Sequence, residues 1–243
     1  MASIETVEEA AANDLSQRNR GTMTHTEHSH QSTLLSQTEE AVNAVTHGIG
    51  MLLSIVGATY LIYRACLHSS GVQIAACSAY GSTLVAVYTA STLSHACSQS
   101  WLQLFRRLDQ GFIYLLIVGT YTPISVTFLR GAWWWAFLAL MWTVAALGFV
   151  IKQLAPERLS SVAISSYMIL GWLPIVACPT LVRVVPPFAL WWILIGGLCY
   201  TVGTVFLIFD RHVRHFHAIW HLLVIAGSCF HFFAILFVAC AAE

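Results

Sequence analysis

Charged side chains are scarce in this chain. Lys, Arg, Asp and Glu together make up 9% of its 243 residues, against roughly a quarter in ordinary soluble domains. That scarcity excludes a charged nucleic-acid-binding surface, as does the formal net charge of zero. The chain has no CxxC pair, and its seven cysteines are odd in number. No disulfide framework is expected from them, and lying in or beside apolar runs they read as small buried hydrophobes. The first forty residues lack the short apolar core of a signal peptide. No internal repeat is evident, which argues against the inverted halves of many transporters.

What the chain has instead is apolar surface. Hydrophobic residues make up 58% of it, and mean hydropathy is +0.72. A soluble fold of this size leaves too much surface facing solvent to hide that composition. The solvent is therefore lipid, and the fold class expected is an all-α integral membrane protein. Seven runs approach the length of about 20 residues that a spanning helix needs. They fall at about 42–63, 73–95, 109–129, 132–151, 162–182, 188–209 and 217–240. The expected organisation is a seven-helix transmembrane domain over 41–243 behind a polar, disordered tail over 1–40. Seven of the eleven acids lie in that tail, and it has too little apolar content to offset the entropy of ordering.

Lys and Arg in the short connections set the expected orientation. One side would carry Arg106, Arg107, Lys152, Arg158, Arg211 and Arg214, the other Arg64, Arg130 and Arg183. The richer side faces the cytoplasm. The amino terminus is then cytoplasmic, the carboxyl terminus outside, and the protein a resident of the cell membrane. Trp133, Trp134, Trp135, Trp191 and Trp192 fall at the outer ends of their runs, where aromatic residues anchor at the interface.

Polar groups at membrane depth are costly and call for a function. Three clusters stand out. Ser91 and His95 share a helix face at the end of the second run. Arg107 and Asp109 open the third. His217 and His221, four apart, open the seventh and resemble the two-histidine device of the HExxH zinc motif without its glutamate. Up-and-down topology puts His95, Asp109, His217 and His221 at one depth, near the cytoplasmic side. Spacing alone leaves each open: the histidines as packing residues, Asp109 as an ion-pair partner of Arg106 and Arg107, Ser91 as a donor to its own helix. If the second, third and seventh runs are neighbours, three imidazoles and a water complete a catalytic zinc set, with Asp109 as base. His47 lies at about the same depth and reads as packing, or as support for the site. His231 lies four turns further along and reads as a core residue. His25, His28 and His30 lie in the tail, and His212 and His215 in a basic connection suited to lipid headgroups.

Taken together, EEAVNAVTHGIG (39–50), STLSH (91–95), LDQGFIYLLIVGTYTP (108–123) and FHAIWHLLVIAGSCFH (216–231) resemble the hemolysin III proteins and the related progestin and adipoQ receptors, over about residues 39–240. The order Ser-x3-His, Asp, His-x3-His also resembles the wider superfamily of membrane hydrolases that includes alkaline ceramidases. The resemblance implies a seven-helix bundle with a zinc ion near the cytoplasmic face. His95, His217 and His221 would be its ligands, Asp109 would hold the water, and Ser91 would line the site. It also implies membrane lipids as partners, with a ceramide-like lipid amide or ester as substrate, its tail between helices. A receptor or membrane regulator with structural zinc is the first alternative, and an ion or proton transporter or pore the second. Two positions depart from the pattern: Gln110 stands where His is usual, and Ser94 where Tyr is common.

Overall fold

The computed structural model describes residues 37–154, 160–210 and 212–240. Most of the expected polar tail lies outside these residues; its last four, 37–40, form the first turn of α1. Among the described residues every regular element is helical. They are α1 (Gln37–His68), α2 (Gly71–Ala96), α3 (Gln99–Phe128), α4 (Ala132–Leu154), α5 (Ser160–Trp172), α6 (Cys178–Val184), α7 (Pro187–Phe209) and α8 (Phe216–Cys240), with a 3-10 turn over Leu173–Ala177 between α5 and α6.

Among the described residues, six helical segments are long and apolar enough to cross a membrane: α1, α3, α4, Ile164–Val184, α7 and α8. A helix of 23 residues is roughly 35 Å long and spans the hydrocarbon layer. The segment Ile164–Val184 is a broken helix. Pro174 and Pro179 each remove a backbone N–H, and the chain tightens to 3-10 geometry between α5 and α6. α2 is long enough but does not reach the same apolarity. Polar residues run along it, and Gln73, Thr83, Ser91 and Ser94 are all buried.

Burial explains the difference. Half of the most apolar stretch of α3 is buried, against 11% for α7. α2 and α3 pack on each other and α8 contacts both, while α4 and α5 lie against α3 and α7 against α8. One core, including Leu61, Tyr80, Leu84, Tyr88, Leu116 and Ile235, joins α1, α2, α3 and α8. A second, including Tyr114, Val118, Leu138 and Met141, joins α3, α4 and α5. A helix enclosed by protein does not need an apolar surface all round; α4 and α7, at the periphery, do. They expose Leu140, Leu147, Trp191, Leu198 and Val205, a surface suited to lipid.

Two expectations need correction. α3 begins ten residues earlier than the third apolar run, because hydropathy marks where lipid begins, not where a helix does. Gln99–Leu108 is an amphipathic extension of the same helix, so Asp109 sits in mid-helix. The cysteines were expected to be buried, but of the six whose side chains are described only Cys77 is fully buried, and Cys66, Cys178 and Cys229 are exposed. In lipid, small apolar residues need not turn inward.

Candidate metal centre

α8 begins after a tight connection in which His215 adopts φ 63°, a left-handed conformation that few non-glycine residues enter. The first turn of α8 then carries His217, and His221 stands one turn on, on the same face. α2 ends at Ala96, so His95 is in its last turn. The ring centroids of His95 and His217 are 5.2 Å apart, those of His95 and His221 5.2 Å, and those of His217 and His221 4.5 Å. The rings are steeply tilted to one another, by 64–70°. One nitrogen of each lies within 4.8 Å of the other two. Three ligands at bonding distance around a tetrahedral zinc stand about 3.4 Å apart, so a small inward movement closes the set. Three imidazoles leaving one position open match the donor set of a catalytic zinc site.

His217 is locked from behind. Its Nδ1 donates to Asp210 Oδ2 at 2.8 Å, which turns Nε2 and its lone pair toward the other two rings. A carboxylate behind a ligand imidazole is the usual outer support of a metal-binding histidine. His221 is 1% exposed. Its Nδ1 is buried without a hydrogen bond, and the Asn43 main-chain carbonyl of α1 is the acceptor that faces its ring.

Asp109 is not one of the three groups that converge. It lies on α3, and the Ser91 hydroxyl, one turn of α2 before His95, donates to its carboxylate. Ser91, 1% exposed, therefore does not spend its hydroxyl on its own helix; Ser94 donates instead, to the Ser91 carbonyl at 2.8 Å. Gln110 Oε1 accepts from Lys152 Nζ of α4 at 2.9 Å. His231 is a buried core residue whose Nε2 donates to the Ile193 carbonyl at 3.0 Å.

The structure thus brings together α2, α3 and α8, whose adjacency spacing alone left open. Two residues had been overlooked or discounted. Asp210 lies seven residues before His217 in a connection, where no helical periodicity links it to that histidine. His47 is no ordinary packing residue: its ring stacks on His221, with centroids 3.5 Å apart and planes 25° apart.

With this geometry in view, the comparisons with known proteins are decisive. The family model described as "Haemolysin-III related" matches residues 35–232. The chain belongs to the hemolysin III family. It is 40% identical to "Hemolysin-3" of Bacillus cereus over 200 residues, 82% of this chain and 91% of that one. It is 36% identical to "Hemolysin-3 homolog" of Bacillus subtilis (strain 168) over 200 residues, 82% of this chain and 93% of that one. At 28% over 206 residues it is also similar to human "Monocyte to macrophage differentiation factor", covering 81% of this chain and 83% of that one. This distant likeness ties the hemolysin III chain to the progestin and adipoQ receptor superfamily. The three converging histidines, Asp109 and Ser91 all lie inside the matched region.

Proposed function

We propose that this hemolysin III family member is a seven-span zinc protein of the cell membrane that hydrolyses a lipid amide or ester near the cytoplasmic face. The observation that carries the reading is the convergence of His95, His217 and His221, with Asp210 holding one ligand and the Ser91–Asp109 pair alongside. α2 is the seventh crossing, tolerable in lipid because Gln73, Thr83, Ser91 and Ser94 are buried in protein. The excess of Lys and Arg beside the histidine end sets the amino terminus inside and the carboxyl terminus outside.

Zinc held by these imidazoles supplies Lewis acidity that lowers the pKa of water to about 7. The residues do the rest. Asp210 keeps His217 in one tautomer, so its lone pair faces inward. Asp109 accepts the water's proton and passes it to the leaving amine or alcohol, a general base turned general acid. Ser91 fixes the carboxylate through its hydrogen bond. A furrow of about 610 Å³ between α1, α2 and α3 is lined by Ile55, Ala58, Ala86, Phe105 and Phe112 and reaches Ala90 and Leu108. Those two residues are the sequence neighbours of Ser91 and Asp109, so the furrow reaches the same level along α2 and α3 as that pair.

The test is the metal content of detergent-purified protein beside the His217→Ala/His221→Ala double variant, followed by hydrolysis of a ceramide-type amide. About one zinc per chain, lost in the variant together with turnover, is the expected result. Turnover that survives in a zinc-free variant refutes it. A structural-zinc regulator is the second reading, favoured by ligands drawn from two different helices, α2 and α8, which a metal would tie together. It predicts that Asp109→Asn keeps zinc and thermal stability and abolishes no activity, because there is none.

A further inference from the structure

His47 is the polar residue at this centre for which the proposed chemistry has no use. It is 5% exposed, and neither of its ring nitrogens, both sealed from solvent, has a hydrogen-bond partner in the protein. Its position is tightly determined. One face lies on His221, and the ring meets Tyr88 edge-on, 5.2 Å between centroids and 75° between planes. Gly50, three residues further along α1, admits the Tyr88 ring so closely that a Cβ there would stand 2.6 Å from it. A phenyl ring would fill this space without burying a donor and an acceptor, a burial that is unfavourable unless both are answered. Within the protein both nitrogens of His47 are left unanswered. Nor is His47 a fourth ligand: the set of nitrogens within 4.8 Å of one another comprises His95, His217 and His221.

We infer that His47 forms a hydrogen-bonding subsite beside the metal centre for the amide or hydroxyl group of a bound lipid. The inference rests on the lipid-hydrolase reading and adds the feature of the substrate that is recognised. A neutral imidazole carries one N–H donor and one bare acceptor nitrogen. Its complement is a group that both accepts and donates: a secondary amide, with its C=O and N–H, or a hydroxyl. A carboxylate or a phosphodiester offers acceptors alone and satisfies half of the ring; a hydrocarbon satisfies neither half. The stack on His221 places this recognition one ring's thickness from the three converging histidines. His47 selects N-acylated or hydroxylated lipids over fatty acids.

The experiment uses the full chain in phosphatidylcholine nanodiscs, as wild type, His47→Phe and His47→Ala. Bound metal is counted on each preparation, and binding of a long-chain N-acylethanolamine is compared with that of the matching fatty acid. His47→Phe is expected to keep the stack, the metal and the melting temperature. It is expected to bind the N-acylethanolamine about tenfold more weakly, the loss of one to two buried hydrogen bonds, and the fatty acid within about twofold of wild type. Equal binding of the amide by His47→Phe and wild type overturns the inference, as does a wild type that binds no amide. Loss of metal in both variants also overturns it, because His47 would then act only by holding His221. A wild type without metal that still binds the amide through His47 supports the subsite while refuting the hydrolase, so the two readings fail separately.

Discussion

Removing the Asp210 carboxylate should weaken metal binding without unfolding the protein. The carboxylate accepts a 2.8 Å hydrogen bond from His217 Nδ1 and so fixes which nitrogen of that ring faces His95 and His221. Loss of such outer support typically costs 10–100-fold in metal affinity, about 1.4–2.8 kcal/mol. The pair is only partly shielded, with side chains 31% and 21% exposed, and solvent weakens charge-assisted contacts. The lower end of the range is therefore expected: about tenfold for Asp210→Ala. Asp210→Asn keeps an acceptor oxygen and loses the charge, so about threefold is expected on the same reasoning. The assay is competition for zinc against a chelator of known affinity, in the micelle, beside thermal unfolding of the metal-free protein. Asp210 follows directly after α7, outside the core, and metal-free stability should change by less than about 0.5 kcal/mol. Unchanged zinc affinity in Asp210→Ala would refute the orienting role. A large fall in metal-free stability would refute it differently, by making Asp210 a folding residue.

The site was legible in the sequence to the extent that helical spacing and membrane depth determine it. His217 and His221 share a face because they are four apart, and alternation of the helices put His95 and Asp109 at their level. What spacing cannot encode is contact between helices or between a helix and a connection. Asp210 reaches His217 through the reversal at His215, and the φ 63° of that residue has no signature in a histidine codon. His47 lies on α1, 174 residues from the ring it stacks on, and one histidine in an apolar run reads as packing until its neighbour is known.

The fold was legible wherever lipid dictates the side chains. The apolar stretches of α4, α7 and α8 end within a few residues of the helices themselves, because those faces meet hydrocarbon along their length. Hydropathy failed where protein or water replaces lipid. It missed the amphipathic first ten residues of α3, in which Gln, Ser and Arg alternate with Trp, Leu and Phe. It also ran smoothly through Leu173–Ala177, where Pro174 breaks the ladder and leaves hydropathy unchanged.

Further outcomes follow from packing and from charge. A reporter that folds only in the cytoplasm should work at the amino terminus and fail at the carboxyl terminus, as the distribution of Lys and Arg requires; the reverse pattern would put the histidines on the outer side. Gln110→Ala removes the acceptor of a Lys152 ammonium that is 2% exposed and should destabilise the protein by about 1–3 kcal/mol. Gln110→Glu, which supplies a counter-charge, should raise the melting temperature. Adjacent glycines on α7 should respond oppositely to alanine. At Gly197 the nearest atom to a new Cβ is Trp172 Cζ2 at 4.0 Å, so Gly197→Ala gains helix propensity, about 0.5–1 kcal/mol. At Gly196 the new Cβ would stand only 2.3 Å from His231 Cδ2 and 3.1 Å from the Gly227 carbonyl oxygen. The imidazole cannot yield sideways, because its Nε2 is bonded to the Ile193 carbonyl on α7 itself. Gly196→Ala must therefore either break that bond, leaving a buried donor unanswered, or part α7 from α8. Overpacking of this kind costs about 1–3 kcal/mol, and the difference between the two variants in one melting series should exceed about 1.5 kcal/mol in sum. Equal melting temperatures would mean that α7 and α8 do not pack through Gly196 and His231, and that His231 faces elsewhere in the membrane.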